Sequence, residues 1–162
     1  MGAPCMIELR AVKLGDLDHF FAHQQDAEAV QMAAFTSEDP SDRDAFDTHW
    51  HRIMQADNIT IRTITHDDAV VGHIAQFYME GDAELTYWID RAHWNRGIAT
   101  EALRQFLHVV QMRPIHARAA ADNGASIRVL EKAGFVCSGR ERGFANARQA
   151  EIEEVIMTRD AP

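Results

Sequence analysis

Residues 93–106 read HWNRGIATEALRQF, and the interpretation of the whole chain starts from this stretch. A turn of small residues, Gly97 to Ala99, leads directly into apolar residues at helical spacing. The first turn of a helix leaves backbone N–H groups without intrahelical partners, and the helix dipole adds partial positive charge there. The stretch is therefore a candidate phosphate site that a ligand can approach closely. The alternative is a tight strand-to-helix turn that uses Gly97 only for its backbone freedom.

Two well-known phosphate loops do not fit this stretch. A P-loop requires Gly-Lys-Ser/Thr at the helix start, and no such triplet is present. A dinucleotide fingerprint requires G-x-G-x-x-G at the opening of a βαβ unit, whereas here only Gly97 matches and the third position is Ala99. A nucleotide-dependent switch protein would also need a phosphate-loop lysine and magnesium ligands, which we do not find in the sequence.

The segments around the stretch predict a mixed α/β sheet. Alternating and β-branched residues between 59 and 90, separated by the turns HDDA and EGD, predict an antiparallel meander of three strands. A strand at 6–12 and two or three helices precede it. A helix over about 97–112, a strand at 115–121, a helix from Asn123 to Gly134 and a closing hairpin follow it. This order indicates about seven strands and four helices, with helices on both faces of the sheet.

Composition fits one soluble domain over residues 1–162. The formal net charge of −9 disfavours nucleic-acid binding and favours a cationic partner such as an amine, unless the acidic surface only maintains solubility. No apolar run reaches the roughly 18 residues of a membrane span, and the start of the chain lacks the pattern of a secretory signal. Two distant cysteines, Cys5 and Cys137, argue against a disulfide scaffold or a thiolate metal site, so we expect a cytoplasmic protein.

Two sequence blocks carry a family resemblance. Residues 83–103, AELTYWIDRAHWNRGIATEAL, resemble the acetyl-CoA loop of the GNAT acetyltransferases, Gln/Arg-x-x-Gly-x-Gly/Ala, with Trp94, Gly97 and Ala99 at its three positions. A tryptophan at the first position, Trp94, followed by RGIATEAL, is similar to the pattern of the RimJ/RimL-like branch. Members of this branch acetylate N-terminal amines of ribosomal proteins. The second block, ADNGASIRVLEKAGF, resembles that branch's Asn-x-x-Ser-x-x-x-Leu-x-x-x-Gly-Phe helix, matched by Asn123, Ser126, Leu130, Gly134 and Phe135. The predicted element order also fits the GNAT fold from end to end.

The resemblance implies acetyl-CoA as co-substrate and no metal. It implies that the pyrophosphate lies on the amides of residues 96–100 and that the pantetheine arm lies along strand 84–90, where this strand splays from strand 115–121. The arm would pair with the backbone near residues 88–90 and contact Asn123. The implied cofactor-binding residues are Trp88, Ile89, Asp90, Trp94, Asn95, Arg96, Gly97, Ile98, Ala99, Thr100 and Asn123.

Acyl transfer to an amine requires a base for the amine, stabilisation of the carbonyl oxygen and a proton for the departing thiolate. Glu84 is the candidate base, because the resemblance places a glutamate there and burial in a partly apolar cleft would raise its pKa. The alternative is a surface glutamate beside a turn. Ser126 is the candidate acid, or else a serine at a helix start that bonds only the backbone. The resemblance further implies that a backbone N–H near Trp88 or Ile89 polarises the thioester carbonyl.

Other side chains carry weaker hypotheses. Thr86 replaces a glycine usual in the branch and would narrow the pocket, Tyr87 is interpreted as packing, and Tyr78 is an alternative acid. His19 and His23 have a spacing found in zinc sites but lack the accompanying glutamate, so no metal site is expected. His73 is interpreted as a buried core residue with a satisfied ring, and the alternative is that it lines the acceptor cleft. The loop SEDPSDRD, residues 37–44, is a candidate border of the acceptor site.

The sequence thus predicts an N-acetyltransferase that transfers acetyl directly to a primary amine in a ternary complex. The acceptor stays open between a protein N-terminus and a small molecule such as a polyamine or an antibiotic, since one fold hosts many acceptors. A non-catalytic CoA-binding regulatory module is the alternative from a different class. We expect a monomer or a homodimer.

Overall fold

The chain folds around one seven-stranded sheet in a computed structural model, which describes residues 6–160. Cys5 lies outside the described part. The strands are β1 (Ile7–Arg10), β2 (Thr60–His66), β3 (Ala69–Met79), β4 (Asp82–Ile89), β5 (Ile115–Ala120), β6 (Val136–Ala145) and β7 (Ala150–Arg159). The helices are α1 (Asp16–His23), α2 (Ala27–Ala33), α3 (Arg43–Gln55), α4 (Ile98–Val109) and α5 (Gly124–Lys132), with a short 3-10 turn at Arg91–His93.

The sheet has the order β1-β2-β3-β4-β5-β7-β6, and only the β4–β5 pairing is parallel. The predicted meander forms because both of its turns place two residues at positive φ, Asp67 and Asp68 in one turn and Glu80 and Gly81 in the other. Turns with this backbone match the right-handed twist of the strands they join. The mixed sheet and the seven strands of the sequence prediction are confirmed.

The parallel pair β4–β5 separates before its strands end. The last paired residues are Leu85 and Ala117, although β4 continues to Ile89 and β5 to Ala120. β5 stays hydrogen-bonded to β7 through Ala120. A wedge therefore opens in the middle of the sheet, at the place where the family resemblance implied splayed strands.

Each face of the sheet buries its own core. Alternation along β4 sends Leu85, Tyr87 and Ile89 to the face covered by α4 and α5, where the larger apolar cluster includes Leu103 and Phe106. Glu84, Thr86 and Trp88 face the opposite side. There α1 and α3 cover a smaller cluster that contains Phe20, Phe46, Trp50 and Ala75.

The N-terminal region forms three helices, so the chain has five α-helices within residues 6–160 rather than about four. Asp26 and Asp42 begin α2 and α3, because their carboxylates accept the amides of Ala29 and Ala45. Gly134, with φ of 92°, ends α5 as predicted. The helix expected over about 97–112 is shorter than predicted and ends at Val109.

A buried carboxylate fixes α1 to the sheet. Asp16 accepts two hydrogen bonds from Arg10, at 2.7 and 2.9 Å, and further bonds from the Lys13 amide and the Thr63 hydroxyl. Burial alone would raise the pKa of Asp16, but these hydrogen bonds and the Arg10 charge lower it to about 2. The ion pair joins β1 to α1, and the Thr63 bond joins α1 to β2, so together they fix the helix on the face of the sheet that carries Glu84.

Candidate active site

A cleft of about 910 Å³ occupies the wedge and opens on both faces of the sheet. One half, on the face of α4 and α5, is lined by the turn before α4 and the start of α5. The other half, on the opposite face, is lined by α2 and β3. Glu84, Trp88 and Arg118 lie among its lining residues, between these two halves.

The turn before α4 adopts the conformation that the sequence predicted. Asn95 and Gly97 have φ of 61° and 75°, and α4 begins at the next residue, Ile98. A Cβ atom placed on Gly97 would meet no atom within 4 Å, so the backbone here borders open space. The cleft is lined by Trp94, Asn95 and Gly97 through Thr100, where first-turn amides and the helix dipole favour an anion. The predicted phosphate site is thus geometrically accessible.

Two of the expected cofactor-binding residues do not line the cleft. Arg96 is exposed and lies outside the lining residues. The Asp90 amide donates to the Val71 carbonyl at 2.8 Å, so it belongs to the β3–β4 ladder and is not available to a ligand. Its carboxylate contacts His93 Nδ1 at 3.3 Å. The sequence pattern gave no signal for this, because it does not reveal which backbone groups face which neighbouring strand.

The same ladder decides which backbone groups face the wedge. Asp90 and Val71 form a hydrogen-bonded pair, so the neighbouring pair, Ile89 and Gly72, is a non-hydrogen-bonded pair of the antiparallel ladder. The N–H and C=O of Ile89 therefore point away from β3. Alternation turns the backbone of Trp88 toward β3, which corrects the expectation that its main chain faces the ligand. The Ile89 carbonyl already accepts the Trp94 indole N–H at 2.9 Å. The Ile89 amide is therefore the donor that remains directed into the wedge.

The start of α5 brings two hydroxyl groups together. The Asn123 side chain accepts the Ser126 amide at 3.2 Å and thereby caps the helix, while both residues line the cleft. The Ser126 hydroxyl lies 2.8 Å from the Tyr87 hydroxyl. Burial raises the pKa of Tyr87, and the hydrogen bond to Ser126 offsets only part of that rise. Tyr87 packs against the core as predicted, but its hydroxyl contact with Ser126 was not anticipated.

Glu84 is buried, with 3% of its surface exposed, rather than lying at the surface beside the turn. Its Oε1 accepts a hydrogen bond from Arg118 Nε at 3.1 Å. Its Oε2 is also buried and accepts no hydrogen bond from the described residues. The carboxylate thus lines the cleft with one oxygen held and the other uncommitted.

Arg118 is the residue that sequence analysis missed. Its Nη1 atom binds Glu141 and Glu154 at 2.8 and 3.1 Å, in addition to the Nε contact with Glu84. Burial lowers the pKa of Arg118, but hydrogen bonds with these three carboxylates outweigh burial and raise it. A signal was available, since a single arginine interrupts small residues in the strand IHARAA next to β4.

The half of the cleft on the α2 side is largely apolar. Phe77 lies directly opposite Glu84 in the β3–β4 register, and Thr86 also borders this half. Tyr78 and the expected loop 37–44 do not line the cleft. The wall of this half is formed instead by α2, by Phe35 just after that helix, and by the end of β3. The residues are Ala29, Met32, Ala33, Phe35 and Met79.

The histidines do not form a metal centre in the part of the chain that the structure describes, where no group of three or more His, Cys, Asp or Glu side chains is arranged to bind an ion. His73 packs between Phe20 and Trp50 as a core residue, but its Nδ1 is buried without a hydrogen-bond partner and so is not satisfied as predicted. Among residues 6–160 we also find no helix long and apolar enough to cross a membrane.

Comparison with known families identifies the family of this chain. The family model for the acetyltransferase (GNAT) domain matches residues 7–136, which include the wedge, the turn before α4 and the start of α5. The chain belongs to the GNAT acetyltransferase family.

Known relatives of this GNAT protein agree with the assignment. The probable N-acetyltransferase YjcK of Bacillus subtilis is 37% identical over 84 residues, which cover 47% of this chain and 46% of that protein. The match therefore spans about half the length of the curated relative.

Solved structures have the same fold. The microcin C7 self-immunity acetyltransferase MccE, in complex with acetyl-CoA and AMP, superposes with a TM-score of 0.80 at 14% identity over 95% of this chain and 92% of that one. RimL, a ribosomal alpha-N-protein acetyltransferase in complex with coenzyme A, superposes with a TM-score of 0.81 at 16% identity over 96% and 94%. At these identities the similarity shows the fold alone. Membership of the family confirms the expected GNAT fold, the acetyltransferase class and, at the level of the family, acetyl-CoA as co-substrate.

Proposed function

We propose that this chain is an acetyl-CoA-dependent N-acetyltransferase that moves an acetyl group to a primary amine by direct transfer in a ternary complex. The observation that carries the proposal is the meeting of three features in one cleft. These are the accessible amides at the start of α4, the Ser126–Tyr87 hydroxyl pair, and a buried Glu84 with one uncommitted oxygen.

The half of the cleft between the turn before α4 and α5 is proposed to hold acetyl-CoA, which supplies the acetyl group as an activated thioester. The backbone from Arg96 to Thr100 would bind the pyrophosphate through first-turn amides rather than through the Arg96 side chain. The open space beside Gly97 and the width of the wedge support this fit. The Ile89 amide would donate to the carbonyl oxygen as that oxygen gains charge.

Glu84 is proposed to take the proton of the amine, directly or through a water molecule. Its uncommitted Oε2 is a buried hydrogen-bond acceptor that lines the cleft, where an amine or a bridging water can reach it. Arg118 fixes the other oxygen, so the carboxylate keeps one orientation. Arg118 is thus a positioning residue.

Ser126 is proposed to return a proton to the departing thiolate. Its hydroxyl approaches the wedge from α5, on the face opposite to the one that Glu84 occupies. The Tyr87 hydroxyl would resupply the proton through the 2.8 Å contact. No nucleophilic side chain is needed when both substrates bind together, because the amine itself attacks the thioester.

The assignment to a branch of the family rests on the two sequence blocks that carry the resemblance. We propose membership of the RimJ/RimL-like branch on the strength of Trp94 and the Asn123–Ser126 block. We further propose one acetyltransferase domain over residues 1–162, acting in the cytoplasm as a monomer or homodimer, with no nucleic-acid or membrane partner.

Thiol release from acetyl-CoA, measured with and without a panel of amines, tests this function. We expect amine-dependent release that falls on the order of 100-fold in Glu84→Gln, because a positioned base is lost, while the affinity for acetyl-CoA stays unchanged. Glu153→Gln is the matched control, since Glu153 also pairs with an arginine, Arg140, but lies outside the cleft. Binding of CoA without turnover on any amine would favour a regulatory module. Unchanged turnover in Glu84→Gln would remove Glu84 from the mechanism.

A further inference from the structure

We propose that the acceptor is a primary amine that carries an apolar group and has no carboxylate next to the amine. A free apolar amine, an amino-acid amide and a chain N-terminus with an apolar first residue all share this chemistry. The inference names the substrate class of the proposed acetyltransferase site and therefore rests on the proposed function. Its basis is the α2 side of the cleft, which we call the acceptor half, formed by Met32, Phe35, Phe77, Met79 and Glu84.

The position of the amine follows from Glu84. Its side chain is 5% exposed, its Oε1 is held by Arg118, and its Oε2 has no partner among the described residues. A buried, uncommitted carboxylate oxygen is costly unless a donor reaches it. A protonated amine supplies both the donor and the opposite charge.

The charge around Glu84 disfavours an acceptor with a neighbouring carboxylate. Arg118 is shared by Glu84, Glu141 and Glu154, so three carboxylates surround one guanidinium and leave an excess of two negative charges. The other arginine and lysine side chains that line the cleft, Arg128 and Lys132, belong to α5 on the opposite face. The carboxylate of a free amino acid would lie close to this excess negative charge. Replacing it with an amide removes the repulsion.

The wall beside Glu84 determines the rest of the acceptor. Phe77 is the cross-strand neighbour of Glu84, and Met79 lies two residues further along the same face of β3. Met32 and Met79 are 38% and 36% exposed, so apolar surface in this half has no protein partner. Methionine side chains adapt to apolar groups of different shape. A polyamine would place a second cation against this wall, which lies on the β3 side of Glu84, away from the carboxylates of β6 and β7. A polyhydroxylated amine would leave its hydroxyl groups without partners there.

Matched acceptors test the inference with the wild-type protein. L-leucinamide and L-leucine differ in the carboxylate, and L-leucinamide and L-asparaginamide differ in the polarity of side chains of similar size. We expect kcat/KM for leucinamide to exceed that for leucine, asparaginamide and spermidine by at least about tenfold, the effect of roughly 1.4 kcal/mol of differential binding. A peptide with N-terminal leucine distinguishes a chain N-terminus from a small free amine as the acceptor. A kcat/KM above that for leucinamide identifies a chain N-terminus, and a kcat/KM below it identifies a small amine.

Met79→Gln provides a test within the protein, and Met32→Gln repeats it on α2. Each variant should reduce the preference for leucinamide over asparaginamide several-fold and leave the KM for acetyl-CoA unchanged. Met112→Gln is the control, because Met112 is as exposed as Met79, at 36%, but lies outside the cleft. Equal or faster acetylation of leucine, asparaginamide or spermidine by the wild-type protein would overturn the inference alone. Transfer to none of the amines would overturn the proposed function and the inference with it.

Discussion

Glu84 and Ser126 approach the wedge from opposite faces of the sheet. Glu84 lies on β4 and points toward the acceptor half, whereas Ser126 lies at the start of α5 and contacts Tyr87 on the other face. In the proposed reaction a proton leaves the amine on one side and another reaches the thiolate on the opposite side. The two groups therefore have separate tasks, and each can be removed without displacing the other.

Substitution of the hydroxyl pair tests the assignment of the acid. We expect Ser126→Ala to lower kcat on the order of 100-fold, because the thiolate loses its proton donor. Tyr87→Phe should lower kcat less, since Ser126 remains in place. Affinity for CoA, measured by calorimetry, should stay close to that of the wild type in both variants. A larger loss in Tyr87→Phe than in Ser126→Ala would instead make Tyr87 the acid.

At the scale of single residues, the sequence indicated candidate site residues but not the contacts that they make. Glu84 and Ser126, which both line the cleft, stay the candidate base and acid that the family's sequence blocks marked. Arg118 was missed because its role depends on three carboxylates from β4, β6 and β7, which are distant in sequence. The roles of Asp90 and Trp88 were misjudged because a period of two places side chains but does not tell which strand each amide faces.

Packing of α1 and α3 on β3 supports the acceptor face of the sheet. The rings of Phe20 and Trp50 lie 4.8 and 4.9 Å from the ring of His73. Burial, together with the smaller effects of the nearby His23 and His49, lowers the pKa of His73 to about 3. Burial also lowers the pKa of His23, which Asp90 partly opposes. Both rings are therefore neutral in the folded protein at neutral pH.

This packing predicts acid sensitivity over a defined range. In the unfolded chain His73 binds a proton below its ordinary pKa of 6.5, whereas in the folded chain it does so only near 3. Its contribution to stability is thus complete above pH 6.5 and is lost as the pH falls toward 3. At pH 5 the loss amounts to about 2 kcal/mol.

Urea unfolding at pH 7 and pH 5 measures this effect. His73→Phe, which cannot titrate, should lose less of its free energy of unfolding between the two pH values than the wild type. The comparison uses the difference between pH values, so a change in packing at this site does not obscure it. The same pH dependence in both proteins would show that His73 is already protonated in the folded state.

The elements themselves were largely predictable, because period-2 and helical spacing are local signals. The two meander turns and the glycine that ends α5 occur as predicted. The total of about four helices and the end of the helix at 112 were less accurate, since the described chain has five α-helices and α4 ends at Val109. Helix ends depend on where a chain finds tertiary contacts, which local spacing does not encode.

At the scale of the whole molecule, the wedge between β4 and β5 connects the two faces of the sheet through a single cleft. β4 and β5 part after Leu85 and Ala117, so a ligand on the α4–α5 face and a ligand on the α2 face can meet in the gap. The family resemblance implied the splay, whereas the order of elements indicated only a mixed sheet. The wall of the acceptor half was not predictable, because α2 reaches it only through long-range packing. Loop 37–44, which sequence suggested, lies elsewhere.

The central claim is that amides around Gly97 hold the pyrophosphate of acetyl-CoA, so that the thioester end reaches this gap. Gly97 and Gly81 both have positive φ, 75° and 86°, and neither has an atom within 4 Å of an added Cβ. Glutamate at either position therefore introduces similar backbone strain and the same charge. Only Gly97 lies in the cleft.

Calorimetric titration of CoA into Gly97→Glu and Gly81→Glu tests the claim most directly, with thermal unfolding of both variants as the check on folding. We expect Gly81→Glu to bind CoA like the wild type, and Gly97→Glu to lose at least about 100-fold in Kd, or roughly 2.7 kcal/mol. The carboxylate would both fill and repel the phosphate site. Equal affinity in the two variants would contradict the account.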